Sequence, residues 1–395
     1  MIAFIALVLA VLSAFLVTGL FLYAFIVSLQ QKPTLPFVQH VRALIEKRRA
    51  PLLSRAEKNP ILRPSSHAWE AGAVMNPAAI HLHDRTHLFY RAVGTDGVSR
   101  IGYASSKDGV QFDERLPYPV YALPNNFSIS ESSLHREYLA SRPDLLASGG
   151  SWSGIEDPRA VVIDDRMYLS FSAFHSWDSL RIGVTSLSLA DLEAKRWNWS
   201  PPVFLSAPNE VHKNWVLFPE KIHGKFAILH AFRDGTRRRA VVNYLDTLDS
   251  EPSQYVKSDA SFRGNVEPSL WDSRVRGSGP PPLKTDAGWL VFYHANDARE
   301  PEKYKLGALL LDAKDPSKII ARTPNAILEP ETTYENEGKP GIVYACGATA
   351  IGDQLTVYYG GADNVVCAAA TSLSHFTESL RSFRAPVLSL LPLRI

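Results

Sequence analysis

The sequence predicts an all-β fold, a five-bladed β-propeller preceded by one N-terminal transmembrane helix. Three observations carry that expectation. They are an uncharged apolar run from Met1 to Leu29, a strand–turn–strand pattern that recurs five times, and the absence of long helical periodicity after Pro60. Hydrophobic content of 46% with 10% aromatics suits a folded chain. A formal net charge of +2 gives no support to a nucleic-acid partner, which needs a concentrated basic surface. Only Cys346 and Cys367 are present, without the spacing of a disulfide framework or a zinc site, so no metal is called for.

The apolar run comes first. At about 1.5 Å per residue it exceeds the roughly 20 residues that cross a hydrocarbon core. A cleaved signal peptide fits less well, because no Lys or Arg precedes the run and it is too long. Lys32, Arg42, Lys47, Arg48, Arg49, Arg55 and Lys58 all follow it, which by the positive-inside rule puts the C-terminal side in the cytoplasm. Phe37, Val41, Leu44 and Ile45 recur at helical spacing. The expected organisation is a transmembrane anchor at 1–29, a basic, partly helical juxtamembrane linker at 30–59, and a propeller domain at 60–395. The expected localisation is a single-pass membrane protein with that domain in the cytoplasm.

The repeats come next. An aromatic-rich strand, a polar turn and a strand of small residues start at His87, Met167, Phe226, Trp289 and Leu355, at intervals of 80, 59, 63 and 66 residues. Each interval accommodates a four-stranded sheet with its loops, and radial repetition of such sheets is how propellers avoid long exposed edges. A β-sandwich also gives short strands with turn signals, but five near-regular copies favour the propeller. Residues 118–153 form a long Ser-, Pro- and Asn-rich insertion, expected to overhang the site, and 236–276 is loosely patterned.

Polar residues gather at Gly- or Pro-marked points beside these strands: Asn76-Pro77, Gly154-Ile-Glu-Asp-Pro-Arg159, Lys213, Phe218-Pro-Glu-Lys221, Tyr293-His294 and Gly360-Gly-Ala-Asp363. Asp157 precedes a proline, which predicts an extended backbone at a strand entrance. On residues alone Asp157 beside Arg159 is equally a plain salt bridge. Arg91 is equally a buried partner of a neighbouring carboxylate, and Asp363 a turn residue.

Together and in this order, the stretches GIEDPR, LFPEKI, GSGPPPL, YHA, DPSKIIARTPNAILEPE and YYGGAD resemble glycoside hydrolase family 130, the mannoside phosphorylases and related β-mannosidases. The resemblance runs from about Asn59 to Ala370 and implies the same five-bladed fold. It implies an inverting enzyme in which Asp157 donates a proton, relayed through a mannose hydroxyl to the leaving oxygen. Inorganic phosphate is then the nucleophile and co-substrate, with no cofactor. A phosphate site asks for guanidinium and ammonium groups. By motif position Arg91, Arg100 and Lys213 resemble the phosphate ligands, with Tyr293 and His294 completing the pocket, while Asn76 and Asp363 match residues that hold the mannose.

The family's phosphorylases carry an arginine after the third-blade histidine, whereas here Ala231 follows His230. Three readings therefore stay open. The first is a membrane-anchored phosphorylase that cleaves or forms a β-mannosidic bond in a mannose-containing oligosaccharide or glycoconjugate, giving α-mannose 1-phosphate. The second is an inverting β-mannosidase with Glu220 as base. The third is a non-catalytic glycan-binding propeller in a membrane polysaccharide assembly.

Overall fold

The computed structural model describes residues 53–123, 153–176, 179–233, 239–255 and 271–383. Their secondary structure is nearly all antiparallel β. The first strand, β1 (Ser54–Arg55), belongs to the last sheet in the chain. The first blade is β2 (Ala73–Leu82), β3 (Arg85–Val93), β4 (Val98–Ser106) and β5 (Glu114–Arg115). The second is β6 (Ser153–Ile163), β7 (Arg166–Ser176), β8 (Ser179–Ser188) and β9 (Val203–Phe204). The third is β10 (Val216–Leu217), β11 (Phe226–Arg233) and β12 (Arg239–Leu245). The fourth holds β13 (Arg274–Ser278), β14 (Leu283–Thr285), β15 (Gly288–Asp297), β16 (Glu300–Leu311) and β17 (Ile319–Arg322). The fifth is β18 (Val343–Ile351), β19 (Gln354–Gly361) and β20 (Val365–Ser372), finished by β1, with Ser54 opposite Ala370 and Arg55 opposite Ala369.

Five hydrophobic cores, one at each junction between blades, close the ring. Phe89 and Ile101 meet Leu169 and Phe171 between the first and second blades, and Val161 and Tyr168 meet Trp215 and Ile228 at the next junction. Phe218 and Leu229 meet Trp289 and Val291, and Phe292 and Leu306 meet Val357 and Tyr359. Leu88 and Tyr90 meet Tyr358 and Val366, which returns the last blade to the first. Each blade is thus apolar on both faces, which is why the middle strands read as continuous runs such as Leu88-Phe89-Tyr90 rather than as alternation. The first strand of each blade lies innermost, and β2 packs against both β6 and β18. One parallel pairing, Val98 with Ser153 and Ser99 with Gly154, joins the first two blades. Only glycine fits there: Gly154 has φ +103° and a Cβ would stand 2.2 Å from the Ser99 carbonyl oxygen.

The membrane expectations need correction. Two short α-helices are present among the described residues, α1 (Leu189–Glu193) and α2 (Leu373–Ser382), N-capped by Ser188 and Ser372. No helix among the described residues is long and apolar enough to cross a membrane. The transmembrane helix expected at 1–29 lies outside the described residues. The described residues form an all-β five-bladed propeller and supply no span, so the fold class is stated without one and the single-pass, cytoplasm-facing localisation is withdrawn. Sheet structure also begins before residue 60, because Ser54–Arg55 is already paired. The expected overhang of the 118–153 insertion falls mainly on residues 124–152, outside those described.

Candidate active site

Four of the five innermost strands break register close to their first residues: β2 between Met75 and Ala78, β6 between Glu156 and Arg159, β13 between Val275 and Gly277, and β18 between Ala345 and Gly347. Bulges re-aim a side chain out of the alternation of a strand. In β2 and β6 the bulged pair is Asn76-Pro77 and Asp157-Pro158, and both polar residues adopt left-handed φ, +48° and +49°. This corrects the extended backbone expected for Asp157. Asn and Asp are the non-glycine residues that tolerate this conformation best, and the bulge turns both side chains toward each other.

Their meeting defines the site. Asn76 Nδ2 donates to Asp157 Oδ1 at 2.7 Å, and Arg91 Nη1 donates to the same oxygen at 3.2 Å. Arg91 Nη2 donates to Glu156 Oε1 at 2.9 Å, and its Nε to Ser99 Oγ at 2.9 Å. Lys213 Nζ reaches Glu156 Oε2 at 3.3 Å. Arg91, Glu156 and Asp157 are buried (1%, 1% and 4% exposed), while the Lys213 side chain is 26% exposed and faces solvent. Burial alone pushes the Asp157 carboxyl up, but the charges of Arg91, Lys213 and Arg159, with the Asn76 amide, outweigh it and hold it down to about 2. Asn76 Oδ1 is buried without a hydrogen-bond partner in the protein. It sits against Gly360, where a Cβ would approach it to 2.1 Å.

A second layer fixes the first. Arg159 spans three blades: its Nη1 donates to the Asp157 carbonyl at 2.8 Å, its Nε to Gly279 O at 2.8 Å, and its Nη2 to Asn214 Oδ1 at 3.0 Å. Tyr344 OH donates to the same Asn214 oxygen, and its ring stacks on His294 with centroids 3.9 Å apart. His294 is fully buried, and that burial with the Arg159 charge pulls its imidazole down to about 3. The neutral ring accepts the Ala345 N–H on Nε2 at 2.9 Å, so it carries its proton on Nδ1.

The structure thus brings together Asp157, Arg91, Lys213 and Asn76, with His294 behind them. Asp363, φ +51°, sits in the β19–β20 turn paired with Lys339 at 3.2 Å, near enough for its charge to act on Arg91. Three candidates stand elsewhere. Arg100 lies opposite Ala92, so it projects from the other face of the blade than Arg91, and it binds Asp96 at 2.6 Å. Tyr293 OH donates to Asp272 at 2.6 Å and accepts from Arg322 Nε at 3.1 Å, inside the fourth blade. Glu220 occupies the turn after β10, at the opposite end of that strand from Lys213, and pairs with Lys284 at 2.7 Å. Sequence reasoning missed Glu156, Arg159, Asn214 and Tyr344. Glu156 and Arg159 flank Asp157 in the quoted motif, and the repeat of Asn76-Pro77 in Asp157-Pro158 was a signal for the shared bulge.

A buried carboxyl facing cations on the innermost strands of a five-bladed propeller is an arrangement suited to acid catalysis beside an anionic co-substrate. The comparisons agree. A family model described as beta-1,4-mannooligosaccharide phosphorylase matches residues 142–381. A 1,2-beta-oligomannan phosphorylase of Thermoanaerobacter sp. is 38% identical over 326 residues, covering 80% of this chain and 95% of that one. A beta-1,2-mannobiose phosphorylase of the same organism is 34% identical, covering 79% and 94%. The solved structure of the beta-1,2-mannobiose phosphorylase from Listeria innocua in complex with beta-1,2-mannobiose has the same fold. Its TM-score is 0.62 at 23% identity, with 84% and 99% of the two chains covered. The chain belongs to glycoside hydrolase family 130 and is an enzyme of the mannoside phosphorylase kind, which sets aside the non-catalytic reading.

Proposed function

We propose that the chain is an inverting phosphorylase of β-1,2-linked mannosides, releasing α-mannose 1-phosphate. The linkage rests on its relatives: those at 38% and 34% identity act on β-1,2 bonds by their names, and a β-1,4-mannooligosaccharide phosphorylase is 24% identical. The observation that carries the chemistry is the convergence of Asp157, Asn76, Arg91, Glu156 and Lys213.

In this reading a sugar hydroxyl donates to the unpartnered Asn76 Oδ1 and lies beside Asp157, which protonates the leaving oxygen through that hydroxyl. Phosphate, drawn by Lys213 and the charge of Arg91, attacks the anomeric carbon from the opposite face, so the configuration inverts. Direct attack by phosphate needs no second carboxylate as base, unlike an inverting hydrolase. The β-mannosidase alternative loses its nominated base, since Glu220 lies at the far end of β10.

The test is a panel of β-1,2- and β-1,4-mannosides incubated with and without phosphate. Turnover that saturates with phosphate and yields α-mannose 1-phosphate is expected, with the β-1,2 substrates preferred. A charge-assisted hydrogen bond is worth roughly 1.5–3 kcal/mol, so Lys213→Met is expected to weaken phosphate use about 10- to 100-fold. Free mannose released at equal rates with and without phosphate would sink the assignment.

A further inference from the structure

The proton donor of a phosphorylase must be protonated when the bond breaks, yet Asp157 is held as a carboxylate by its surroundings. Arg91, Arg159 and Lys213 face the carboxylates of Glu156 and Asp157, leaving the cluster one positive charge in excess. The other faces of Asp157 do not offset that excess. Asn76 from β2 offers a neutral amide, and His294 from β15 is a neutral imidazole. Tyr344 and Cys346 from β18 are kept protonated by burial, the thiol pushed up to about 12. Asp363 in the β19–β20 turn is paired with Lys339.

Lys213 is the member that reaches solvent. A dianion seated against it would turn one net positive charge into one net negative charge. One charge within about 4–6 Å moves a carboxyl by roughly 1–3 pH units, and a dianion brings two such charges.

We propose that binding of a dianion at Lys213 drives a proton onto Asp157, so that this residue is a carboxylate in the free enzyme and a proton donor only when phosphate is in place. This rests on the phosphorylase reading above. The proton comes from solvent and leaves on the hydroxyl of the departing sugar. The attacking phosphate oxygen forms its bond to the anomeric carbon as the glycosidic bond breaks. Phosphate's own proton returns to solvent afterwards, so the cycle is proton-neutral. The arrangement also explains how such an enzyme avoids hydrolysis. Without phosphate, water meets a sugar whose leaving oxygen has no acid beside it.

Sulfate is a suitable probe, because it is a dianion with no titrating proton in mildly acidic solution. Its binding is followed by isothermal titration calorimetry in two buffers of different ionisation enthalpy. The wild-type enzyme is expected to take up as much as roughly one proton per site. Asp157→Asn is expected to bind sulfate with no uptake, and Lys213→Met to bind it about 10- to 100-fold more weakly. The same binding enthalpy in both buffers, equal uptake by Asp157→Asn, or no sulfate binding where phosphate saturates turnover would each overturn the proposal. None of these touches the phosphorylase reading, which fails instead if no sugar phosphate forms.

Discussion

Asn76 and Asp157 occupy the same place in successive blades, each bulged, left-handed and followed by proline, and the hydrogen bond between them is the centre of the site. Asp157→Asn removes the proton and almost no volume. It is expected to keep the fold, judged by an unchanged circular dichroism spectrum, and to lose turnover by about 10²–10⁴-fold, the usual weight of general acid catalysis. Activity within a few-fold of wild type would remove Asp157 from the mechanism. His294 makes a different prediction, on stability. Its imidazole is held down to about 3 in the folded protein, against about 6.5 when unfolded. The unfolded chain therefore takes up this proton first. The stability His294 contributes is complete above about pH 6.5 and drains away as pH falls toward about 3, by up to about 1.4 kcal/mol per pH unit. Urea midpoints measured across that range are expected to fall less steeply for His294→Gln than for wild type; parallel curves would refute the assignment.

At the scale of elements, the bulges of the innermost strands do what regular strands cannot. Alternation along β6 would send Glu156 and Asp157 to opposite faces; the extra residue lets Arg91 reach both carboxylates. The β19–β20 hairpin completes the arrangement by bringing Gly360 against Asn76. Gly360→Ala places a methyl group 2.1 Å from Asn76 Oδ1. The amide must move, and with it the bond to Asp157. A hydrogen bond to a charged group is worth roughly 1.5–3 kcal/mol, so kcat is expected to fall about 10- to 100-fold while the unfolding midpoint changes little. A fall in stability with normal kcat would show that the turn matters to folding and not to the site.

Over the whole molecule, the ring must be closed, and the closure depends on a residue whose role the sequence did not announce. Arg55 counted only as one of seven basic residues after the apolar run. In the structure it sits on β1 and donates from Nε and Nη2 to the carboxylate of Glu335, at 2.8 and 2.9 Å. Glu335 is fully buried and also accepts from Tyr359 OH at 2.8 Å. Breaking a buried ion pair from one side typically costs about 3–5 kcal/mol, because a charge is left unpaired. Arg55→Met is expected to lower stability by about that much in urea unfolding, and adding Glu335→Gln to recover most of it. An Arg55→Met protein as stable as wild type would show that β1 does not lock the ring.

The sequence by itself determined the family and the blade count, and it nominated the acid. Each lies in local information: five aromatic strand pairs at regular intervals, and a contiguous GIEDPR motif around Asp157. It also pointed to Arg91, Lys213 and Asn76, which the fold brings to Asp157. Tertiary structure alone decided the rest. Arg100 and Arg91 are nine residues apart in one hairpin, but strand alternation puts them on opposite faces. Glu220 follows Lys213 closely in sequence and lies at the other end of its strand. Glu156, Asn214 and Tyr344 matter because three different blades converge on one axis, and no local pattern encodes which side chains meet there. Sequence periodicity reports what a strand buries. Only the closed ring, with its bulges, fixes the distance between a carboxylate and the cation that sets its charge.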